Sequence, residues 1–178
     1  MRLFIAIEFP GPVKAELEQS AAILKENCDS GNFSRRENYH LTLAFLGEIA
    51  PARVNAIEDA MRVCAAPPIP IRIGAFGTFS RDGDLIFRRV EASKDLFALQ
   101  KDLADALRAR GFSPEDRAFK PHLTMAREVR RDATIPLSAL SAQVPPLSLE
   151  ATAMSLMRSD RVAGKLVYTR VAQTNFTR

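Results

Sequence analysis

The strongest constraint in this 178-residue chain is a duplication. His40-Leu41-Thr42-Leu43 and His122-Leu123-Thr124-Met125 repeat one local frame, and they use the only two histidines in the sequence. A β-strand sends alternate side chains to opposite faces. Histidine and threonine therefore share one face, and the apolar residues between them go to a packing layer. Two copies of one strand, one in each half of the chain, predict two similar lobes turned toward a shared cleft. On simple alternation His40, Thr42 and Ala44 point one way, and Leu41, Leu43 and Phe45 the other.

The chemistry of the pair is specific. Imidazole titrates near neutral pH and can give or take a proton, and a threonine hydroxyl can donate to an anionic oxygen. Two such units facing each other supply one base, one acid and two donors. That set suits in-line phosphoryl transfer without a metal: one imidazole takes a proton from water while the other protonates the leaving oxygen. The two must hold opposite protonation states, so a bell-shaped pH profile is expected. A lone histidine on a strand is more often structural, and threonine is a routine strand former. The matching frames carry the reading. A zinc site built from Cys28, Cys64, His40 and His122 lacks any ligand spacing, and the cysteines read as core. There is no Gly-x-Ser-x-Gly elbow, no Gly-x-Gly-x-x-Gly and no Walker loop, which argues against hydrolase triads, dinucleotide folds and ordinary ATPases.

The rest of the chain alternates strands with helices. Leu3 to Phe9 reads as a strand, and Gly11-Pro12 opens a helix whose buried face carries Val13, Leu17, Ala21 and Leu24. Phe33 to Arg36 reads as a short extended piece, Tyr39 to Leu46 as the first motif strand, and Pro51 as the start of a second helix. Ile69 to Ser80 and Leu85 to Val90 read as a hairpin joined at Arg81-Asp82-Gly83-Asp84. Ser93 caps a helix striped by Leu96, Leu99, Leu103 and Leu107, and Gly111 ends it. His122 to Arg127 is the second motif strand. A short helix fits Pro136 to Leu140. Leu147 to Ser159 reads as one strand, followed by a turn at Ser159-Asp160-Arg161 and Gly164, and Lys165 to Phe176 as the last. Long helices mixed with hairpins argue for an α+β fold rather than a doubly wound parallel sheet.

Hydrophobic content of 47% and charged content of 26% are those of a globular chain. The net charge of +4 suits an anionic ligand or a nucleic-acid end, although many basic proteins bind neither. The opening Met1 to Pro10 is too short and too interrupted by Glu8 for a signal peptide, and no run approaches the roughly 20 apolar residues that span a bilayer, so no membrane role and a cytoplasmic location are expected. No flexible linker is apparent, so residues 1–178 are expected to form a single domain of two intimately packed lobes.

These motifs resemble the paired His-x-Thr/Ser-x signature of the 2H phosphoesterase superfamily. The wider segments Tyr39 to Gly47 and Lys120 to Arg127, with the opening Arg2-Leu3-Phe4-Ile5-Ala6-Ile7, are similar to the bacterial and archaeal RNA 2′,3′-cyclic phosphodiesterases, once called 2′-5′ RNA ligases. The resemblance covers essentially the whole chain, with no departure at the motif residues. It implies two pseudo-symmetric lobes, each an antiparallel sheet with helices packed outside, around a central cleft. It also implies opening of a 2′,3′-cyclic phosphate at an RNA end to a 2′-phosphate, with no metal and no cofactor. Carried over, His122 is the proton acceptor that activates water, and His40 is the proton donor to the departing 3′-oxygen. Thr42 and Thr124 hold the non-bridging oxygens. Arg127 sits where the family places an arginine near the phosphate. Simple alternation points it away from His122, so a bend or bulge is needed to re-aim it. Phe9, Tyr39 and Phe45 are candidates for stacking on a base, and Arg35 and Arg36 for a positive approach; core and solvated surface are the competing readings. An RNA-end binding protein without significant turnover stays open. So does a relative acting on another cyclic phosphate, such as ADP-ribose 1″,2″-cyclic phosphate, or joining a 2′-5′ linkage. A monomer needs no extra assumption.

Overall fold

A computed structural model describes residues 1–81, 83–132 and 134–177. It contains two antiparallel sheets. The first has the order β3-β1-β8-β9, from β1 (Arg2–Glu8), β3 (His40–Glu48), β8 (Ala153–Val162) and β9 (Lys165–Asn175). The second has the order β2-β6-β5-β4-β7, from β2 (Ser30–Phe33), β4 (Ile69–Arg81), β5 (Gly83–Val90), β6 (His122–Arg130) and β7 (Leu147–Ala151). Setting β2 aside, the sheets match strand for strand. Each begins with a motif strand paired to one central partner, β3 on β1 and β6 on β5.

Helices cover the faces turned away from the motif histidines. Helix α1 (Gly11–Glu26) leaves the first sheet and covers the second, where Arg88 on β5 donates to Ser20 Oγ. Helices α2 (Val54–Val63) and α3 (Lys94–Arg108) pack together behind the first sheet. The short α4 (Leu137–Ser141) lies beneath β4, where Ser141 Oγ accepts from the Phe76 amide. Ser93 caps α3 by accepting from Leu96 N–H, and Gly111 takes the left-handed φ of +76° that lets the chain turn after it. One apolar cluster joins both sheets to the helices, from Leu3, Ile5 and Ile7 through Leu41, Leu43, Leu103 and Leu107 to Leu123 and Met125.

Three expectations are corrected. Leu147 to Ser159 is not one strand: β7 pairs with β4 in the second sheet, and after Thr152 the chain enters β8 in the first. Alternating apolar residues mark a strand but not the sheet that receives it. The last turn lies at Ala163-Gly164, because β8 runs on to Val162. The short extended piece is Ser30–Phe33, and Arg36–Asn38 form a 3-10 turn. The hairpin expected around Arg81-Asp82-Gly83-Asp84 joins β4 to β5, with Arg81 opposite Gly83 and Asp82 outside the described residues.

Candidate active site

The two motif strands line a cleft of about 840 Å³ that brings His40, Thr42, Phe45, His122, Thr124 and Arg127 together. Both imidazoles are oriented the same way. His40 Nδ1 lies 2.7 Å from the Asn38 carbonyl, and His122 Nδ1 lies 2.7 Å from the Lys120 carbonyl. A carbonyl only accepts, so in each ring Nδ1 carries the proton and Nε2 is left as the reactive nitrogen. His40 Nε2 accepts from the Thr42 hydroxyl at 3.0 Å.

The threonine two residues on is fixed by simple alternation, but the next contribution depends on a bulge. Between Thr42 and Ala44 strand β3 holds one more residue than β1 does between Ala6 and Ile5. Leu43 and Ala44 therefore both turn inward, and Phe45 swings to the cleft side. This corrects the alternation expected from sequence, which put Ala44 beside His40. Strand β6 repeats the device. Its register against β5 slips between Thr124 and Ala126, so Met125 and Ala126 are both buried and Arg127 enters the cleft. The bend needed to re-aim Arg127 is present.

The other candidates separate. Phe9 and Tyr39 are core residues, 4% and 1% exposed, so neither can stack on a base. Tyr39 is turned inward because it directly precedes the histidine on the strand. Arg35 borders the cleft and spends one nitrogen on the Leu166 carbonyl at 2.6 Å. Arg36 is on the outer side, paired with Glu18 and with the Gly11 carbonyl.

Sequence reasoning missed the aromatic residues that hold the histidines. Phe4 and Tyr168 lie against the His40 ring, with centroids 4.9 and 5.1 Å away. Phe79 and Phe87, stacked on each other, lie 5.2 and 5.4 Å from the His122 ring. Gly77 makes room for Phe87: a Cβ there would sit 2.6 Å from two of its ring carbons. Phe4 and Phe87 come from the strand beside each motif strand, and Tyr168 and Phe79 from strands further across the same sheets, so only the fold could have found them.

Burial dominates the electrostatics. It pulls His40 from 6.5 down to about 4, helped by the positive charge of Arg127 and opposed by the Asn38 carbonyl. Burial also lowers His122, again with Arg127 against protonation. Both rings are therefore neutral near pH 7 in the free protein. The linkage has a definite sign. The unfolded chain protonates His40 near 6.5 and the folded chain only near 4, so stability is full above pH 6.5 and is lost as pH falls toward 4. Urea unfolding at pH 7 and pH 5 is expected to show a loss of about 2 kcal/mol from this ring alone, and His40→Gln removes that share of the slope. An unchanged slope in the variant would refute the depressed value.

Among the described residues no group of three or more His, Cys, Asp or Glu side chains is placed to hold a metal ion. Cys28 and Cys64 are free, half-buried thiols, and burial raises both. No helix among the described residues is long and apolar enough to cross a membrane.

A duplicated lobe with one His-x-Thr strand on each side of a cleft defines a two-histidine class of protein. Comparison with known proteins gives the family. The 2′-5′ RNA ligase superfamily model matches residues 9–163. An RNA 2′,3′-cyclic phosphodiesterase of Thermotoga maritima is 32% identical over 131 residues, covering 71% of this chain and 70% of that one. The Geobacillus stearothermophilus protein of the same name is 29% identical over 163 residues, covering 85% of this chain, which spans 52% of that protein's length. Escherichia coli LigT in its apo form superposes with a TM-score of 0.82 at 25% identity, covering 99% of this chain and 98% of LigT. Thermus thermophilus TT0787 gives 0.78 at 26%, with the same coverage. The chain belongs to the 2′-5′ RNA ligase superfamily, within the 2H phosphoesterases that include the RNA 2′,3′-cyclic phosphodiesterases.

Proposed function

We propose that this protein hydrolyses RNA 2′,3′-cyclic phosphate ends to 2′-phosphates by acid–base catalysis between its two histidines. The observation that carries the reading is the pair of imidazoles, each fixed through Nδ1 to a backbone carbonyl and each turning Nε2 into one cleft. The names of the relatives point to the same substrate class.

His122 takes the proton from the attacking water, and His40 gives one to the departing 3′-oxygen. Access supports this division. His40 is enclosed by Phe4 and Tyr168 and already occupied by Thr42, whereas His122 Nε2 has no hydrogen-bond partner among the described residues. Water reaches the more open ring. Thr42 changes role during turnover. In the free protein its hydroxyl donates to neutral His40; once Nε2 is protonated, the hydroxyl accepts from the ring and donates to a phosphate oxygen. Thr124 is the matching donor, and Arg127 offsets the phosphate charge. The bound anion favours imidazolium and raises the lowered His40 value, so substrate arms its own acid.

No metal or cofactor has a part in this scheme. The protein works as a monomer, its residues 1–178 acting as one domain, on RNA in the cytoplasm. The test is to incubate an RNA oligomer bearing a 2′,3′-cyclic phosphate with the wild-type protein and EDTA, and to identify the terminal phosphate. A 2′-phosphate is expected. A 3′-phosphate product would overturn the assignment of the leaving oxygen, and an untouched end would transfer the site to another cyclic phosphate or to binding without turnover.

A further inference from the structure

The outer half of the β8–β9 hairpin is an arm. β1 pairs with β8 only along Ser155 to Arg158. From Ser159–Tyr168 to Val162–Lys165 the two strands pair with each other, clear of β1. Ala163 and Gly164 close the tip with φ of +49° and +76°, the two-residue turn that suits the twist of a hairpin. The arm is also tied down: the Leu166 carbonyl accepts from Arg35 Nη2 at 2.6 Å and from Asn38 Nδ2 at 3.0 Å. Ser159 to Arg161 and Gly164 to Leu166 border the cleft.

The basic charge at the tip of this arm is only lightly used within the fold: Arg161 Nη1 donates to the Gly164 carbonyl at 3.4 Å. Asp160 is paired with Arg158 at 2.7 Å. Arg161 and Lys165 are exposed, and neither meets a carboxylate among the described residues. Arg2, at the start of the strand beside β8, adds a third exposed cation to the rim, its guanidinium over the Phe45 ring. The exposed tip, Val162-Ala163-Gly164, has no aromatic side chain for a base to stack on. A basic hairpin tip with no aromatic side chain suits a sugar–phosphate backbone rather than a base.

We propose that this arm carries the backbone of the nucleotides immediately 5′ of the reacting end, with Arg161 and Lys165 as phosphate contacts. The protein then prefers the end of an RNA strand over a cyclic mononucleotide, with little regard to upstream sequence. This rests on the cyclic phosphodiesterase reading and specifies its substrate. A terminal nucleotide whose cyclic phosphate faces the histidines is joined to the rest of its strand through the 5′-oxygen, so the strand must leave over a rim. Two cations without ion pairs among the described residues mark where.

The experiment compares wild type with Arg161→Gln, Lys165→Gln and the double variant on two substrates, a short oligoribonucleotide ending in a 2′,3′-cyclic phosphate and a 2′,3′-cyclic mononucleotide. The double variant is expected to lose roughly tenfold in kcat/KM on the oligonucleotide at moderate salt, and the slope of log(kcat/KM) against log salt to fall by about 1.4, two single-strand phosphate contacts. On the mononucleotide it should match wild type. Equal losses on both substrates, or no loss on either, overturn the proposal. Binding of the corresponding oligonucleotide and mononucleotide 2′-phosphates is measured in parallel and needs no turnover. If wild type turns over neither substrate, the functional reading fails, and binding alone decides the arm. Tighter oligonucleotide binding that the double variant loses supports it; equal binding of both ligands, or none, overturns it.

Discussion

His40→Ala and His122→Ala are each expected to lower kcat by about 100- to 10,000-fold, the range that a positioned proton-transfer group supplies. The double variant should be little worse than the more damaged single one, because acid and base act in one step. Both rings line the cleft, and circular dichroism checks that the variants fold. The pH dependence adds a finer test. In the free protein burial holds His40 near 4 and His122 below its usual 6.5. The productive state has His40 protonated and His122 neutral, so the ring that burial holds near 4 must carry the proton. The bell in kcat/KM should therefore lie on the acid side of neutrality. The bound phosphate raises both values, so the bell in kcat should lie at higher pH. Coincident profiles would mean that substrate charge does not reach the imidazoles. Retained activity in either alanine variant would remove that histidine from the mechanism.

Arg88→Ala is expected to cost about 3–5 kcal/mol of stability and to leave the turnover of the folded fraction unchanged. Arg88 is fully buried, and its three partners are neutral oxygens on three parts of the chain. It donates to the Gly74 carbonyl, to Ser20 Oγ at 2.7 Å and to the Pro145 carbonyl at 2.8 Å, and its guanidinium lies over the Phe76 ring. Burial pulls its pKa down to about 10, which leaves it charged at neutral pH. Truncation opens a cavity and takes the donor from the buried Ser20 hydroxyl and from the part-buried Gly74 and Pro145 carbonyls at once, so the transfer, cavity and hydrogen-bond losses add. Arg88→Met refills most of the volume but restores no donor, and should recover about half. Urea midpoints at constant slope measure both. A loss under about 1 kcal/mol for alanine would show that α1 and the approach to β7 hold together without the arginine.

The sequence made one layer of this protein legible and hid the next. The motif strands could be read because their period of two is local: histidine, threonine and the apolar residues between them fall where alternation puts them. The reading failed at Ala44 and Phe45, and at Arg127 needed a bulge, because an extra residue reverses the phase of the strand and leaves no mark in composition. It failed again at Thr152, where the alternation of Leu147 to Ser159 continues through a change of sheet. Phe9 and Tyr39 read as candidates because aromatic residues flanking a motif look alike on paper; the fold buries both. Phe4, Tyr168, Phe79 and Phe87 had no local signal at all, since strand order alone sets them against the histidines.

The paired bulges have a consequence for ligand polarity. Both motif strands slip by one residue at the same distance from their histidines, so the fifth residue after each histidine enters the cleft. By backbone geometry alone the site is close to a palindrome, and a phosphodiester could be read in either sense. The slipped residue is Phe45 on one side and Arg127 on the other. A flat apolar ring and a forked cation cannot be exchanged, so a two-fold frame acquires a head and a tail.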